Sequence, residues 1–133
     1  MKKCLLLVLI LISFPCFSGN WYVVGDGKSE AKLNTKLIEE NLWLFLSSSS
    51  KEKFHEKNSY IFQFKYISKS EIHINAMCQS IEPSSDIGTL PRLNSEQLKK
   101  VFIPIMDGGT CNFQINYNPE KEVFSKLFVN GVA

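Results

Sequence analysis

The chain has 133 residues, of which 44% are hydrophobic and 21% are charged, and its formal net charge is +2. This length is typical of one domain, and this composition is typical of a globular protein. A collagen, a disordered tail and a polytopic membrane protein are excluded.

The N-terminus has the three parts of a secretory signal peptide. Two lysines form a positive head, and the nine apolar residues 4–12 follow before a helix-breaking proline at position 15. A membrane-spanning helix needs about 20 apolar residues, so this run is too short for a retained anchor. We therefore predict a signal peptide over residues 1–18, cleaved between Ser18 and Gly19. A lipoprotein acylated at Cys16 is a weaker alternative, because Phe14 and Pro15 precede that cysteine.

Removal of the leader changes the charge balance. Two lysines leave with residues 1–18, so the mature chain, a single domain over residues 19–133, has 13 basic and 13 acidic residues. Proteins that bind phosphates of nucleic acids need a clustered positive surplus. We therefore expect no nucleic-acid partner, and no stable membrane span after signal removal.

Two cysteines remain in the mature chain, Cys78 and Cys111. In an exported protein such a pair is most simply a disulfide, since oxidising compartments preserve it. No second cysteine or paired histidine stands at metal-ligand spacing. We predict a Cys78–Cys111 disulfide and no metal site.

The apolar pattern predicts seven elements along the mature chain. Alternation with a period of two indicates strands, and apolar spacing of three to four residues indicates helices. Asn94 and Gln97 form a capping-box signal for the second helix. The apolar run 42–46 is compatible with a strand as well as with the end of the first helix. The predicted elements are a strand at 21–24, a helix at 29–45, strands at 60–67 and 71–78, a short helix at 95–100, and strands at 111–117 and 123–129.

Two connecting segments complete this description. Residues 79–93 contain two prolines and a glycine and predict a long loop. The apolar run 101–106 is predicted to be extended, and it should lie at an edge or bulge because Pro104 cannot donate a ladder hydrogen bond.

The order of elements predicts an α+β fold in which a single helix packs on a curved antiparallel sheet. This order resembles the cystatin-like roll. The glutamine-valine-glycine motif of cystatins is absent, because the corresponding hairpin loop at 68–70 is Ser-Lys-Ser. The resemblance therefore implies a fold only, and protease inhibition cannot be carried over from it.

The C-terminal run 107–133 carries a second resemblance. It begins with Asp-Gly-Gly-Thr-Cys-Asn-Phe and ends with Asn-Gly-Val-Ala. The run is similar to the ending of small exported bacterial proteins of unknown function that share an Asp-Gly-Gly-x-Cys-x-Phe start. The resemblance implies export and assigns no catalytic residue.

Three residues are candidate surface or ligand contacts. Asp26 and Asp107 stand beside glycines, where turn chemistry explains them without a ligand. His73 alternates with apolar residues and is expected in a polar surface patch with Glu71 and Asn75. None of the three has a neighbouring motif for catalysis or for a bound cofactor, so we expect no catalytic residue and no cofactor.

These observations favour an exported protein, periplasmic or secreted, that is not an enzyme and acts by binding a protein partner. An inhibitor, an immunity-type factor and an accessory factor are examples. The loop 82–93 and the turn 25–28 are the first contact surfaces to test. The alternative is a small-ligand binder or minor hydrolase that uses a pocket between helix and sheet, with His73 or Tyr66 at its mouth.

Overall fold

The computed structural model describes residues 19–25, 33–79, 94–103 and 108–131. Within these ranges the predicted helices and strands are all present, with bounds shifted by a few residues. The loop predicted over 79–93 lies outside the described residues after Gln79, as do residues 104–106 of the extended run. The elements are β1 (Asn20–Val23), α1 (Thr35–Ser49), β2 (Tyr60–Ser68), β3 (Glu71–Cys78), α2 (Ser95–Lys100), β4 (Gly109–Asn118) and β5 (Val123–Asn130).

Helix α1 begins where a polar side chain can cap it. The Asn34 side chain accepts a hydrogen bond of 3.2 Å from the backbone N–H of Leu37, as an N-cap residue does. Ile38, Leu42 and Leu46 are buried at intervals of four residues, so they form one face of the helix. Residues 42–46 are therefore helical. No helix in the described part of the chain is long and apolar enough to cross a membrane.

The sheet has five strands in the order β1-β2-β3-β4-β5. Three of the four pairs are antiparallel, but β1 pairs with β2 in parallel. The sequence prediction of an antiparallel sheet is corrected at this pair. The reason is the connection, since a helix between two neighbouring strands returns the chain in the same direction, whereas a tight turn reverses it.

The core lies between α1 and one face of the sheet. Alternate residues of β2, β3 and β4 point to this face, as their period of two predicts. Burial of this apolar surface supplies most of the favourable free energy of folding. The core side chains with at most 1% exposure are Leu42, Leu46, Tyr60, Phe62, Ile72, Ile74, Ala76, Phe113 and Ile115.

The predicted disulfide between Cys78 and Cys111 is present, and its Cα atoms are 4.9 Å apart. It joins the end of β3 to the start of β4, one position beyond the paired residues Met77 and Asn112. The sequence separation is 33 residues. The bond therefore ties the two ends of the connection that includes α2.

Candidate functional site on the polar face of the sheet

The sheet face opposite α1 is polar at its centre. Where β2 pairs with β3, Gln63 lies beside Asn75, and Lys65 lies beside His73. The next strand continues this second row with Asn116, which pairs with His73. The polar face thus consists of rows of amide, imidazole and amine groups across neighbouring strands.

The segment 94–103 covers the first of these rows. The Gln63 amide donates to the backbone oxygens of Leu98, at 2.7 Å, and Val101, at 2.8 Å. Its oxygen accepts from the Ile103 backbone N–H at 3.0 Å. The two rows therefore differ in exposure, because backbone from a distant part of the sequence buries one of them.

Asn75 does not belong to a surface patch, which corrects the sequence prediction. Its side chain is 0% exposed, and its amide donates to the Gln63 side chain and to the backbone oxygen of Ile103. Burial of polar side chains is favourable only when they are hydrogen-bonded. Asn75 therefore helps to bind the covering segment and is not available to a partner.

Phe102, in the same segment, contacts the second row. Its ring centroid lies 4.4 Å from the Lys65 ammonium nitrogen, which is a cation–π distance. The ring also lies 5.2 Å from the His73 ring. Phe102 thus packs against two polar side chains of the second row, Lys65 and His73.

An open groove of about 610 Å³ follows beyond Phe102. The exposed Phe128 and Ile67 supply apolar surface there, at 54% and 53% exposure. Three consecutive residues of β2, Lys65, Tyr66 and Ile67, lie in the lining, close to a register shift between Tyr66 and Ser68. The lining residues are Lys65, Tyr66, Ile67, His73, Gln114, Asn116, Lys126 and Phe128.

A chain of hydrogen bonds orients His73 in this groove. The Asn116 amide nitrogen donates to a Glu71 carboxylate oxygen at 2.6 Å. The amide oxygen of Asn116 consequently faces His73 Nδ1, at 2.6 Å. An amide oxygen only accepts, so Nδ1 must carry the proton. In the neutral imidazole, Nε2 is then a hydrogen-bond acceptor.

Glu71 is the one acidic side chain in this hydrogen-bond chain. The Asn116 hydrogen bond, followed by the hydrogen bond from Lys126, holds the pKa of Glu71 below its usual value of 4.5. The Lys126 ammonium lies 3.2 Å from Glu71. The carboxylate is therefore ionised at neutral pH and fixes the Asn116 amide in one orientation.

The predicted contact residues have different outcomes. His73 and Tyr66 both line the groove, whereas Asp26, Asp107 and the cleavage residue Ser18 lie outside the described residues. The proposed loop surface at 82–93 lies outside the described residues, and of the turn 25–28 only Gly25 is described, which does not line the groove. Sequence reasoning missed Lys126 and Phe128, although β5 had been predicted and its alternation places Phe128 on the polar face.

His55 lies close to the disulfide. A ring nitrogen of His55 and the sulfurs of Cys78 and Cys111 are within 4.8 Å of one another. Metal ions are bound by thiolates, and here each sulfur is bonded to the other. The arrangement therefore offers one imidazole donor rather than three ligands.

The pocket that the alternative reading requires would lie between α1 and the sheet. In the described residues that interface is occupied by fully buried side chains such as Leu42, Phe62 and Phe113. The groove lies on the opposite face of the sheet. A ligand-binding function would thus use the polar face.

Comparison with known proteins gives no relative for this chain: no family model, no curated protein sequence and no solved structure matches it. Its function is therefore argued from the groove.

Proposed function

We propose that this is an exported, non-enzymatic protein that binds a segment of a partner protein in the groove on its polar sheet face. The partner segment is extended and carries an apolar side chain beside an acidic one. The single observation that carries this proposal is that the exposed Phe128 and Ile67 line the same groove as Lys65 and Lys126.

Export is supported by two independent features of the chain. Residues 1–18 have the charge and apolar pattern of a signal peptide. The Cys78–Cys111 disulfide is of the kind that forms and persists in oxidising compartments. Together they favour the periplasm or the extracellular space. The packing of one helix on a single face of the sheet supports a cystatin-like roll as the scaffold.

The openness of the groove supports a macromolecular occupant. Sites for small molecules are concave and bury most of the ligand surface. Here two apolar side chains remain more than half exposed. A protein segment can lay an apolar side chain against Phe128 while an acidic neighbour reaches Lys65 or Lys126, which gives charge complementarity at the rim.

The sheet face is a better binding surface than the β5 edge of the sheet. Strand β5 is an edge strand, and edges can pair with a strand of another protein. However, β5 has a register shift opposite residues 114–116, and Lys126 within it has a positive φ of 53°. A bulge with a charged residue is a feature that discourages edge pairing.

The test is capture of partners by the mature form, residues 19–133, from periplasmic and extracellular extracts, followed by affinity measurement on the recovered partner. Phe128→Ala should weaken binding at least about tenfold, as truncation of an aromatic anchor does. Leu44→Ala is the matched control, because Leu44 is an exposed apolar residue, at 68% exposure, on α1. Equal affinity of the wild type and Phe128→Ala would contradict the proposal.

The orientation of His73 supports a second candidate function, a small-ligand binder or minor hydrolase. The groove offers an imidazole whose Nε2 is an acceptor, which suits a ligand hydroxyl or a water. None of the groove-lining residues is a serine, threonine or cysteine, so ligand binding is favoured over covalent catalysis. A thermal shift with one compound of a metabolite panel, lost in His73→Gln, would support it, and no shift with any compound would count against it.

A further inference from the structure

A carboxylate is buried against the predicted start of the mature chain. Glu39, on α1, is 2% exposed. Its two oxygens accept from the backbone nitrogen of Gly19 at 3.1 Å and 3.0 Å. One oxygen also accepts from the indole nitrogen of Trp21 at 2.9 Å. Gly19 is the residue that directly follows the predicted cleavage position.

Among the described residues, the donors to Glu39 are neutral groups that do not compensate its charge. No lysine, arginine or histidine among the described residues forms an ion pair with it. A buried carboxylate is strongly unfavourable unless it is paired with a cation. Moreover, the single backbone N–H of Gly19 is shared between the two carboxylate oxygens, so each oxygen receives only part of one hydrogen bond. The site has the geometry of an ion pair that lacks its cation.

We propose that cleavage between Ser18 and Gly19 supplies this cation, so that the new α-ammonium of Gly19 forms a buried ion pair with Glu39. Hydrolysis breaks the Ser18–Gly19 peptide bond with one water. The carboxylate forms on Ser18, and the amine of Gly19 takes up a proton at neutral pH. An ammonium has separate N–H groups for the two oxygens of Glu39. The inference rests on the proposed export for the natural cleavage event.

Packing fixes the Gly19 nitrogen at this place. A Cβ added at position 19 would lie 2.6 Å from Cε2 of the Phe62 ring and 3.1 Å from the backbone oxygen of Tyr60. The ring of Trp21 stacks on the same Phe62 ring, with centroids 4.4 Å apart. Position 19 therefore has room for glycine alone, and the Gly19 nitrogen, just before β1, reaches Glu39 beside the Trp21 indole of that strand.

The test is a double-mutant cycle on the mature protein, residues 19–133, which begins at Gly19. The second species carries an acetyl group on the Gly19 nitrogen, which removes the positive charge. Both are compared in the wild type and in Glu39→Gln, which removes the negative charge and keeps an acceptor for Trp21. Denaturant unfolding gives the equilibrium constant of each of the four proteins.

We expect acetylation to raise the unfolding equilibrium constant at least about tenfold in the wild type, since loss of one partner leaves the other charge buried. In Glu39→Gln the effect of acetylation should fall below about twofold, because the charge it would leave is absent. The same effect in both backgrounds would mean that the acetyl group acts by steric crowding, and it would overturn the ion pair. No effect in either would overturn it as well.

If an acetylated protein does not fold, a second measurement tests the ion pair between Gly19 and Glu39. Retention of Ser18 keeps an ammonium but moves it one residue away from Glu39, and its stability is compared in the same two backgrounds. A loss of stability on retention of Ser18 that occurs with Glu39 but not with Glu39→Gln supports the ion pair. Intact mass of natively produced protein separately tests cleavage, so failure of export and failure of the ion pair give different results.

Discussion

Gln63 and Asn75 lie opposite each other on neighbouring strands, and the Asn75 amide donates to the Gln63 oxygen at 3.2 Å. Both side chains are 0% exposed. The Gln63 oxygen also accepts from the backbone N–H of Ile103. This amide pair connects the sheet to the segment 94–103. Its side chains satisfy backbone groups of that segment that a neighbouring strand would otherwise satisfy.

Gln63→Leu should therefore destabilise the protein by about 3 kcal/mol, because buried backbone groups of the covering segment lose their partners. The free energy of unfolding in urea measures this. Gln114→Leu is the control, since Gln114 lies in the same row and shows no such bond to residues 98–103. A loss below about 0.5 kcal/mol in Gln63→Leu, the size of an ordinary surface effect, would refute the role of the amide.

The disulfide should contribute about 3 to 4 kcal/mol to stability, because it closes a loop of 33 residues. The change is the double substitution of Cys78 and Cys111 by alanine, compared with the oxidised wild type in urea. Reduction of the wild type by a thiol reagent should produce a similar loss. If the reduced and oxidised proteins unfold at the same urea concentration, the bond has no such role.

Glu71 should make stability depend on pH on the acid side. Its hydrogen bond from Asn116 and then that from Lys126 lower its pKa in the folded protein below 4.5. The resulting stabilisation is present above that value and is lost as the pH falls through the folded-state pKa. When the pH is lowered from about 5 to about 3, the melting temperature of Glu71→Gln should consequently fall less than that of the wild type. Glu52→Gln, at an exposed position, should follow the wild type; parallel curves for all three proteins would contradict this prediction.

Gly19→Ala should destabilise the protein by about 1 to 3 kcal/mol, the cost of overpacking. The added methyl group would lie 2.6 Å from the Phe62 ring, and Phe62 is 0% exposed and has no room to move. Gly131→Ala is the control, since no atom lies within 4 Å of a Cβ added there. Urea unfolding of the two variants measures the difference. Equal stability of both would show that the Gly19 strand can shift away from the core.

Much of the fold could be predicted from local patterns. The alternation in β2 to β5 assigns each residue to one of two faces, and the capping box at Asn94 and Gln97 is present as predicted. Both signals act within a few residues of sequence, so no distant information is needed. The bounds of α1 were less accurate, because the apolar spacing extends before Asn34 while the cap sets the first turn.

The burial of polar residues could not be predicted in the same way. Gln63 and Asn75 alternate with apolar residues just as exposed residues do, and the segment that covers them, 94–103, begins 19 residues after Asn75 in sequence. Glu39 stands beside Glu40 in the helix and resembles a solvated charge, yet it is buried. In each case the cover comes from a different element, which periodicity within one element does not indicate.

The covalent closure at the base of the β3–β4 connection has a consequence for how this protein can change. Because the disulfide holds the two ends together in the unfolded chain as well as in the folded one, extra residues inserted between them alter the closure entropy of both states nearly equally. Outside the segment 94–103, which Gln63 and Asn75 bind, the connection can therefore gain or lose length at little thermodynamic cost while the strands keep their register. It is therefore the part of the chain where we expect inserted sequences and changes of length to be tolerated best.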